Sequence, residues 1–174
     1  MFSLKGKIAL VTGSARGVGH GIIRVLARAG ASVVMQDLVE PDDLVTKLET
    51  LASFDNEAIF LQGDVTDSST RHTLLEQCIE NLGGLDILVN NAGSSFDHGW
   101  NDLSEKTIDR TLDLNVKAML MMAQLAIGHF RSTGNGGSIV NVASVNSFMA
   151  ERNSICYDIS KGAVVMMTKT LAVE

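Results

Sequence analysis

Tyr157 and Lys161 are four residues apart, and Ser144 lies thirteen residues before the tyrosine. On a helix, residues at this spacing share a face, so the lysine ammonium would lie beside the tyrosine phenol. An ordinary phenol titrates near pH ~10 and is a poor base at neutral pH, but an adjacent cation favours its ionised form. The pair is therefore predicted to donate and accept protons near neutral pH. The same spacing also occurs on ordinary surface helices, so the remainder of the chain has to decide between the two interpretations.

Composition places the chain among globular proteins. It has 174 residues, 45% of them hydrophobic and 20% charged, which predicts one domain spanning residues 1–174. The net charge of −6 argues against nucleic acid as a partner, because phosphate binding needs clustered Lys and Arg. Cys78 and Cys156 are the only cysteines, and no Cys or His cluster has the spacing of a metal site. No apolar run reaches about 18 residues, so a soluble, cytoplasmic protein with no membrane partner is expected.

Short apolar runs alternate with helical patterns along the chain. The runs are continuously apolar, so their strands are expected to be covered on both faces. Strand–helix alternation with right-handed crossovers predicts an α/β fold, a doubly wound parallel sheet with strand order 3-2-1-4-5. Strands are predicted at 8–12, 32–36, 58–62, 86–89 and 138–143, and helices at about 21–29, 41–51, 66–81, 104–131 and from 155 to the end of the chain.

A glycine-rich turn, residues 12–19, joins the first strand to the first helix. Gly13 permits a tight exit from the strand, Gly17 lets the backbone approach a pyrophosphate, and Gly19 lets the helix pack closely on the sheet. The first N–H groups of the helix would face the phosphates. The spacing differs from the common G-x-G-x-x-G, so the strand–turn–helix context carries the prediction of a dinucleotide site.

Two carboxylates follow the next two strands. Asp37 is placed to bond the ribose hydroxyls and would repel a 2′-phosphate, so NAD is favoured over NADP. Arg16 favours the opposite choice, because its guanidinium could accept that phosphate, and Asp37 could instead be a strand-end turn residue. Asp64 is suited to the amino group of adenine or, equally, to capping the next helix.

The glycine turn, the Asn90–Gly93 segment and Ser144 each follow the carboxyl end of a predicted strand. In a sheet of this order, a crevice opens at the carboxyl ends of the first and fourth strands. Three signals therefore converge on one edge of the sheet, where a cofactor and the Tyr157–Lys161 pair would meet.

On these residues the chain resembles the short-chain dehydrogenase/reductase family, whose members have an NAD(P)-binding Rossmann-like fold. The matching motifs span essentially the whole chain: Thr12-Gly-x3-Gly17-x-Gly19, Asp64, Asn90-Asn91-Ala92-Gly93, Asn115, Ser144 and Tyr157-x3-Lys161. The resemblance implies cofactor contacts by Gly13, Ser14, Arg16, Gly17, Val18, Gly19, Asp37, Asp64, Val65, Asn91, Ala92, Gly93, Tyr157 and Lys161.

The resemblance also implies the catalytic roles. Tyr157 would be the acid/base, Ser144 would orient the substrate oxygen, and Lys161 would make the phenol more acidic and bond the nicotinamide ribose. Asn115 would hold a water in a proton relay. The implied reaction is reversible hydride transfer between NAD(H) and a secondary alcohol or ketone. Two simpler interpretations remain: Ser144 as a helix cap and Asn115 as a polar residue in a helix interface.

The resemblance further implies a homodimer or homotetramer, formed through the helices that carry Asn115 and Tyr157. Met119, Met121 and Met122 would suit such a face, but they would suit a core equally well. A different class of function also stays open, that of a dinucleotide-binding protein with little or no turnover.

The sequence departs from the family at its carboxyl end. Family members continue with two further strands, a proline–glycine turn and a mobile substrate loop, so the favoured interpretation is a piece of a longer enzyme. The competing interpretation is a natural short product. As a piece, residues 1–174 alone are expected to be poorly soluble or marginally stable, with weak or absent turnover. The substrate is undetermined. Segments 94–100 and 145–153 are predicted to line its pocket. Phe96, Phe148 and Met149 would form an apolar wall, and Asn146 and Ser147 would make polar contacts. The aromatic residues could equally be ordinary loop anchors.

Overall fold

A computed structural model describes residues 3–96 and 99–174. Its five strands are all parallel and form one sheet in the order β3-β2-β1-β4-β5. This confirms the predicted fold class and strand order. The strands are β1 (Ile8–Val11), β2 (Ser32–Asp37), β3 (Ala58–Gln62), β4 (Ile87–Asn90) and β5 (Ser138–Asn141).

Helices pack on both faces of the sheet. A π-helical segment, Asp113–Ala118, joins two of them into one long rod. Across residues 3–96 and 99–174, no helix combines the length and apolar character needed to cross a membrane. The helices are α1 (Gly17–Arg28), α2 (Leu44–Ala52), α3 (Ser68–Leu82), α4 (Glu105–Leu112), α5 (Met119–Thr133) and α6 (Ile155–Leu171).

The central strands divide their side chains between two cores because alternate residues of a strand point to opposite faces. One core lies under α1 and α2, and the other under α3 and α5. Since both faces are buried, β1 is apolar at all four positions, and β2 is apolar at its three central positions. The first core includes Ala9, Val11, Val33, Met35, Ile23 and Leu51, and the second includes Leu10, Val34, Leu88, Cys78, Met122 and Phe130.

The predicted coverage on both faces is wrong for β5. Exposed and half-buried residues alternate along it, and Val140 is 50% exposed. The described helix that follows it, α6, packs against α4 and the π-helical segment and is bonded to β5 by the contact of Thr168 with Asn141 at 3.0 Å. One face of β5 therefore lacks a covering helix among the described residues.

Three predicted helix limits are also wrong, and one predicted helix is interrupted. The first helix begins at Gly17, so the glycines of the turn belong to its first residues. The second helix begins at Leu44 rather than at Pro41. Pro41 lies in the turn before it, where its carbonyl accepts from the N–H of Leu44 at 3.0 Å. The predicted helix over 104–131 is interrupted by the π-helical segment, and the last helix ends at Leu171 rather than at the end of the chain.

Candidate active site

The glycine turn leaves β1 and enters α1 at the carboxyl edge of the sheet. Gly13 has a positive φ of 61°, and a Cβ there would lie 2.9 Å from the Cα of Ala92. A Cβ on Gly19 would lie 2.4 Å from the carbonyl oxygen of Gly13. Arg16, at the N-cap of α1, makes no side-chain capping bond. The amino-terminal N–H groups of α1 are therefore available to an anion, such as the pyrophosphate of a dinucleotide.

Side chains from β1 and from the segment after β4 fix this turn. The Asn91 amide Nδ2 donates to the carbonyls of Thr12 (2.9 Å) and Gly13 (2.8 Å). In return, the Thr12 hydroxyl accepts from the N–H groups of Asn91 and Ala92, each at 3.0 Å. Asn90 is buried and bonds α5 and β5 through Met119 and Asn141. The glycine turn and the Asn90–Gly93 segment therefore form one rigid edge.

A groove of about 460 Å³ runs along this edge toward β2 and β3. Asp37 lies in its wall, where its carboxylate accepts from the N–H groups of Ala15 (3.0 Å) and Leu38 (2.8 Å). Asp64 also lies in the wall and accepts from the N–H (2.9 Å) and hydroxyl (2.7 Å) of Thr66. The cap of α3 is Asp67, not Asp64. Among the predicted cofactor residues, the groove is lined by Gly13, Arg16, Asp37, Asp64, Val65, Asn91, Ala92 and Gly93.

A second hollow, of about 320 Å³, adjoins the groove and contains the tyrosine–lysine pair. The two share Gly13, Arg16, Asn91 and Gly93 in their walls. The second is also lined by Val18, Gly19, Val142, Ala143, Tyr157 and Lys161.

Lys161 is only 3% exposed, and its Nζ lies 5.7 Å from the centroid of the Tyr157 ring. The ammonium donates to the carbonyl of Val142 at 2.9 Å. Burial lowers the pKa of Lys161 below the ordinary lysine value, because it penalises the charged form. A Cβ on Gly93 would lie in ordinary contact with the same Nζ, at 3.4 Å, and in tight contact with the Oδ1 of Asn115, at 3.1 Å. The lysine cation therefore lies near the tyrosine ring, and its predicted effect on the phenol stays a prediction.

Asn115 lies in the π-helical segment and is fully buried. Its Oδ1 accepts from the N–H of Ser94 (3.0 Å), and its Nδ2 donates to the carbonyl of Ser94 and the hydroxyl of Ser160 (2.9 Å each). The hydroxyl of Ser160 donates to the carbonyl of Tyr157 at 2.7 Å. The side chain of Asn115 therefore holds the segment after β4 against α6.

Ser144 follows β5 and caps a 3-10 turn over Val145–Ser147. Its hydroxyl oxygen accepts from the N–H of Asn146 at 3.2 Å, and its own N–H donates to the hydroxyl of Ser147 at 3.3 Å. Ser147 in turn donates to the carbonyl of Lys161 at 2.8 Å. The capping interpretation is correct for this residue, and the cap also attaches Ser144 to the helix of the tyrosine–lysine pair.

Comparison with known proteins agrees with this geometry. The sequence profile of the family described as short chain dehydrogenase matches residues 7–174. The 2-dehydro-3-deoxy-D-gluconate 5-dehydrogenase of Dickeya dadantii (strain 3937) is 36% identical over 173 residues, which are 99% of this chain and 67% of that protein. The chain belongs to the short-chain dehydrogenase family.

Solved structures place the chain in the same family. A short-chain type dehydrogenase/reductase from Mycobacterium marinum superposes with a TM-score of 0.92 at 33% identity, over 99% of this chain and 70% of that one. Carveol dehydrogenase from Mycobacterium avium, in complex with NAD, gives a TM-score of 0.91 at 27% identity, over 99% and 67%. Short-chain dehydrogenases are oxidoreductases that use a nicotinamide dinucleotide on small molecules, and this chain is one of them.

Not every predicted residue of this short-chain dehydrogenase lies in the two hollows. Ser14 is buried beneath the turn, with its hydroxyl donating to Val11 and its N–H donating to Gln36. Gly17, Ser144 and Asn115 lie beside the hollows rather than in their walls. Phe148 and Met149 are exposed and line neither hollow, and an apolar wall formed by them stays a prediction.

Sequence reasoning missed several residues that build the site. Gln36 is buried under the groove, accepts from the N–H of Gly13 (3.3 Å) and donates to the carbonyl of Gly63 (2.7 Å). Arg110 lies 3.9 Å above the ring of Phe96, and both line the groove. A polar residue inside an apolar strand was the available signal for Gln36.

The predicted pocket segment 94–100 includes Asp97 and His98, which lie outside the described residues.

Proposed function

We propose that the chain transfers hydride reversibly between NAD(H) and a secondary alcohol or ketone, with Tyr157 as the acid/base. The observation that carries the proposal is the buried ammonium of Lys161, 5.7 Å from the Tyr157 ring, in a hollow that adjoins the glycine turn. A cation kept from water beside a phenol stabilises the phenolate that a base needs.

The residues of the groove fit a dinucleotide. Added Cβ atoms at Gly13 and Gly19 would collide with neighbouring backbone, and no side chain caps α1. The turn would hold the pyrophosphate, and Asp37 and Asp64 would face the adenosine half. The bound nicotinamide supplies the hydride donor or acceptor, while the chain supplies orientation and proton transfer.

Tyr157, Lys161 and Ser144 divide the proton chemistry. In the oxidising direction the phenolate of Tyr157 takes the hydroxyl proton as the carbinol carbon loses hydride, so the alcohol becomes a ketone. In the reducing direction the phenol returns that proton to the carbonyl oxygen. Lys161 offsets the negative charge of the phenolate, and Ser144 orients the substrate oxygen. Asn115 maintains the position of α6, and a water held by this residue as a proton relay remains our prediction.

Asp37 is proposed to favour NAD over NADP. A carboxylate in the groove wall repels the doubly charged 2′-phosphate. Asp37→Asn keeps the shape and removes the charge, so the Kd for NADPH is expected to fall about tenfold, roughly 1.4 kcal/mol, in fluorescence titrations. Asp42→Asn, an exposed carboxylate after the same strand, is the matched control. An equal change in the Kd for NADPH in both variants would contradict the proposal that Asp37 selects NAD.

The substrate class is proposed to be a secondary alcohol or ketone, and the name of the Dickeya dadantii relative, a dehydrogenase of 2-dehydro-3-deoxy-D-gluconate, supports it. The experiment is a panel of secondary alcohols with NAD and of ketones with NADH, followed by NADH absorbance. Turnover on at least one pair is expected. NADH binding without turnover on any member would favour the alternative, a dinucleotide-binding protein.

We also propose that copies of the protein associate as a homodimer or homotetramer. Ile159 and Met166 are each 61% exposed and share one face of α6 at i, i+7 spacing. Met119 and Met122 are buried in the chain's own core and cannot contribute to such a face without rearrangement.

A further inference from the structure

The Ser144 hydroxyl is part of a network that extends beyond the residues proposed for proton transfer. Its oxygen accepts from the N–H of Asn146 at 3.2 Å, and its hydrogen is directed to the Oδ1 of the same residue at 3.4 Å. Asn146 therefore contacts the hydroxyl through both its backbone and its side chain.

Two carboxylates fix the orientation of the Asn146 amide. Nδ2 donates to Asp158 at 2.7 Å and to Glu151 at 3.2 Å. A rotated amide would place Oδ1 against both carboxylates, an arrangement of acceptors with no hydrogen between them. Nδ2 therefore faces the carboxylates, and Oδ1 faces Ser144.

Asp158 is the stronger of the two anchors. It is half-buried in the first turn of α6, directly after Tyr157, and it also accepts from the N–H of Glu151 at 2.8 Å. The Glu151 carboxylate is exposed, so its contribution is screened by water. The chain of contacts thus runs from the helix of the acid/base to the hydroxyl of Ser144.

We propose that Asn146 is a positioning residue that sets the direction of the Ser144 O–H bond. Its Oδ1 holds the hydroxyl hydrogen of Ser144 in the free site and releases that hydrogen to the substrate oxygen, whose own proton is exchanged with Tyr157. The distance of 3.4 Å is long for an O–H···O bond, so little is lost on release. The inference rests on the proposed function, and it replaces the predicted contact between Asn146 and substrate with an action through Ser144.

A double-mutant cycle tests this role, because a residue that acts only through Ser144 loses its effect when Ser144 is absent. The best alcohol–ketone pair from the panel is assayed under single-turnover conditions. Asn146→Ala is expected to lower the rate about tenfold when Ser144 is present and less than about twofold in a Ser144→Ala background. NADH affinity is expected to stay unchanged in all four proteins.

Variants of Asp158 separate positioning from a role in folding. Asp158→Asn keeps an acceptor for Nδ2 and is expected to retain the rate within about threefold, whereas Asp158→Ala is expected to match Asn146→Ala. Equal losses from Asn146→Ala with and without Ser144 would overturn the inference, as would no loss in either background. Tyr157→Phe is the separate control: if it turned over like the unchanged protein, the proposed function would fail whatever the cycle showed.

Discussion

Lys161 is a cation that the fold holds almost entirely away from water. Its ammonium donates to the carbonyl of Val142 and faces the ring of Tyr157. Burying a charge is costly, and an apolar side chain of the same length would avoid the cost. A buried ammonium in a hollow is therefore better explained by proton chemistry than by stability.

Lys161→Met is expected to lower turnover at least about 100-fold, the scale of general acid–base catalysis, and to change how stability depends on pH. Because burial lowers the pKa of Lys161 in the folded state, the unfolded chain binds more protons between the folded pKa and the unfolded value near ~10.4. The wild-type free energy of unfolding therefore rises with pH as that window is crossed.

The measurement is urea unfolding of both proteins between about pH 8 and about pH 10. Lys161→Met should lack the part of the rise that comes from this lysine. The account of the buried ammonium would be wrong if the free energy of unfolding depended on pH in the same way in both proteins.

The spacing in the sequence was sufficient to predict that Tyr157 and Lys161 lie close together, because residues at i and i+4 are neighbours on any helix. The partner of the ammonium, the carbonyl of Val142, was not predictable, since it lies 19 positions away in the chain and meets the lysine only when α6 packs beside β5. Asn146 was identified as a polar pocket residue, but its bonds to Asp158 depend on the conformation of the intervening loop.

At the scale of elements, the site depends on the contact between the glycine turn, α1 and the segment after β4. A methyl group on Gly19 would lie 2.4 Å from the carbonyl of Gly13 and 2.5 Å from the amide of Asn91. The second contact is with the side chain that fixes the turn. Any side chain at this position would therefore disturb both the packing of α1 and the proposed pyrophosphate site.

Gly19→Ala is accordingly expected to lower the free energy of unfolding by about 1–3 kcal/mol, the usual cost of overpacking, and to weaken NADH binding. Gly21→Ala is the matched control two residues later in α1, where nothing lies within 4 Å of the added Cβ. It is expected to stabilise by about 0.5–1 kcal/mol, because alanine favours a helix. Similar free energies of unfolding for the two variants, measured with a chemical denaturant, would contradict this view of the turn.

The number and type of helices and strands could be predicted from the spacing of apolar residues in the sequence. Two features of these elements could not. The π-helical segment at Asn115 has no periodicity of its own in six residues, and it is stabilised by bonds to Ser94 and Ser160 from other elements. The half-exposed β5 has the same apolar share as the covered β2, with two of four residues apolar against three of six. Its exposure depends on where α6 packs, which a strand's own sequence does not encode.

At the scale of the whole molecule, the strand order brings three distant segments to one edge. Each of these segments comes after the carboxyl end of a strand, and the three strands are neighbours in the sheet. The segments are the glycine turn after β1, the Asn90–Gly93 segment at the end of β4 and the residues around Ser144 after β5. That convergence was predictable from element order alone, and it accounts for the two adjoining hollows.

Association of copies through α6 is expected to be sensitive to charge on the exposed face. Ile159→Lys combined with Met166→Lys should shift the protein to monomer in light scattering, because two cations would be buried without partners. Val45→Lys replaces an exposed apolar residue on α2 and is the control. An unchanged assembly in the double variant would show that this face is not the interface.

The most direct test of the central claim is Tyr157→Phe, which removes one hydroxyl from the proposed proton path and leaves the ring in place. Turnover and NADH binding are measured on the same preparation. We predict that turnover falls by at least about 100-fold while the Kd for NADH stays within about threefold of the unchanged protein. Retained turnover in this variant would contradict the assignment of Tyr157 as the acid/base.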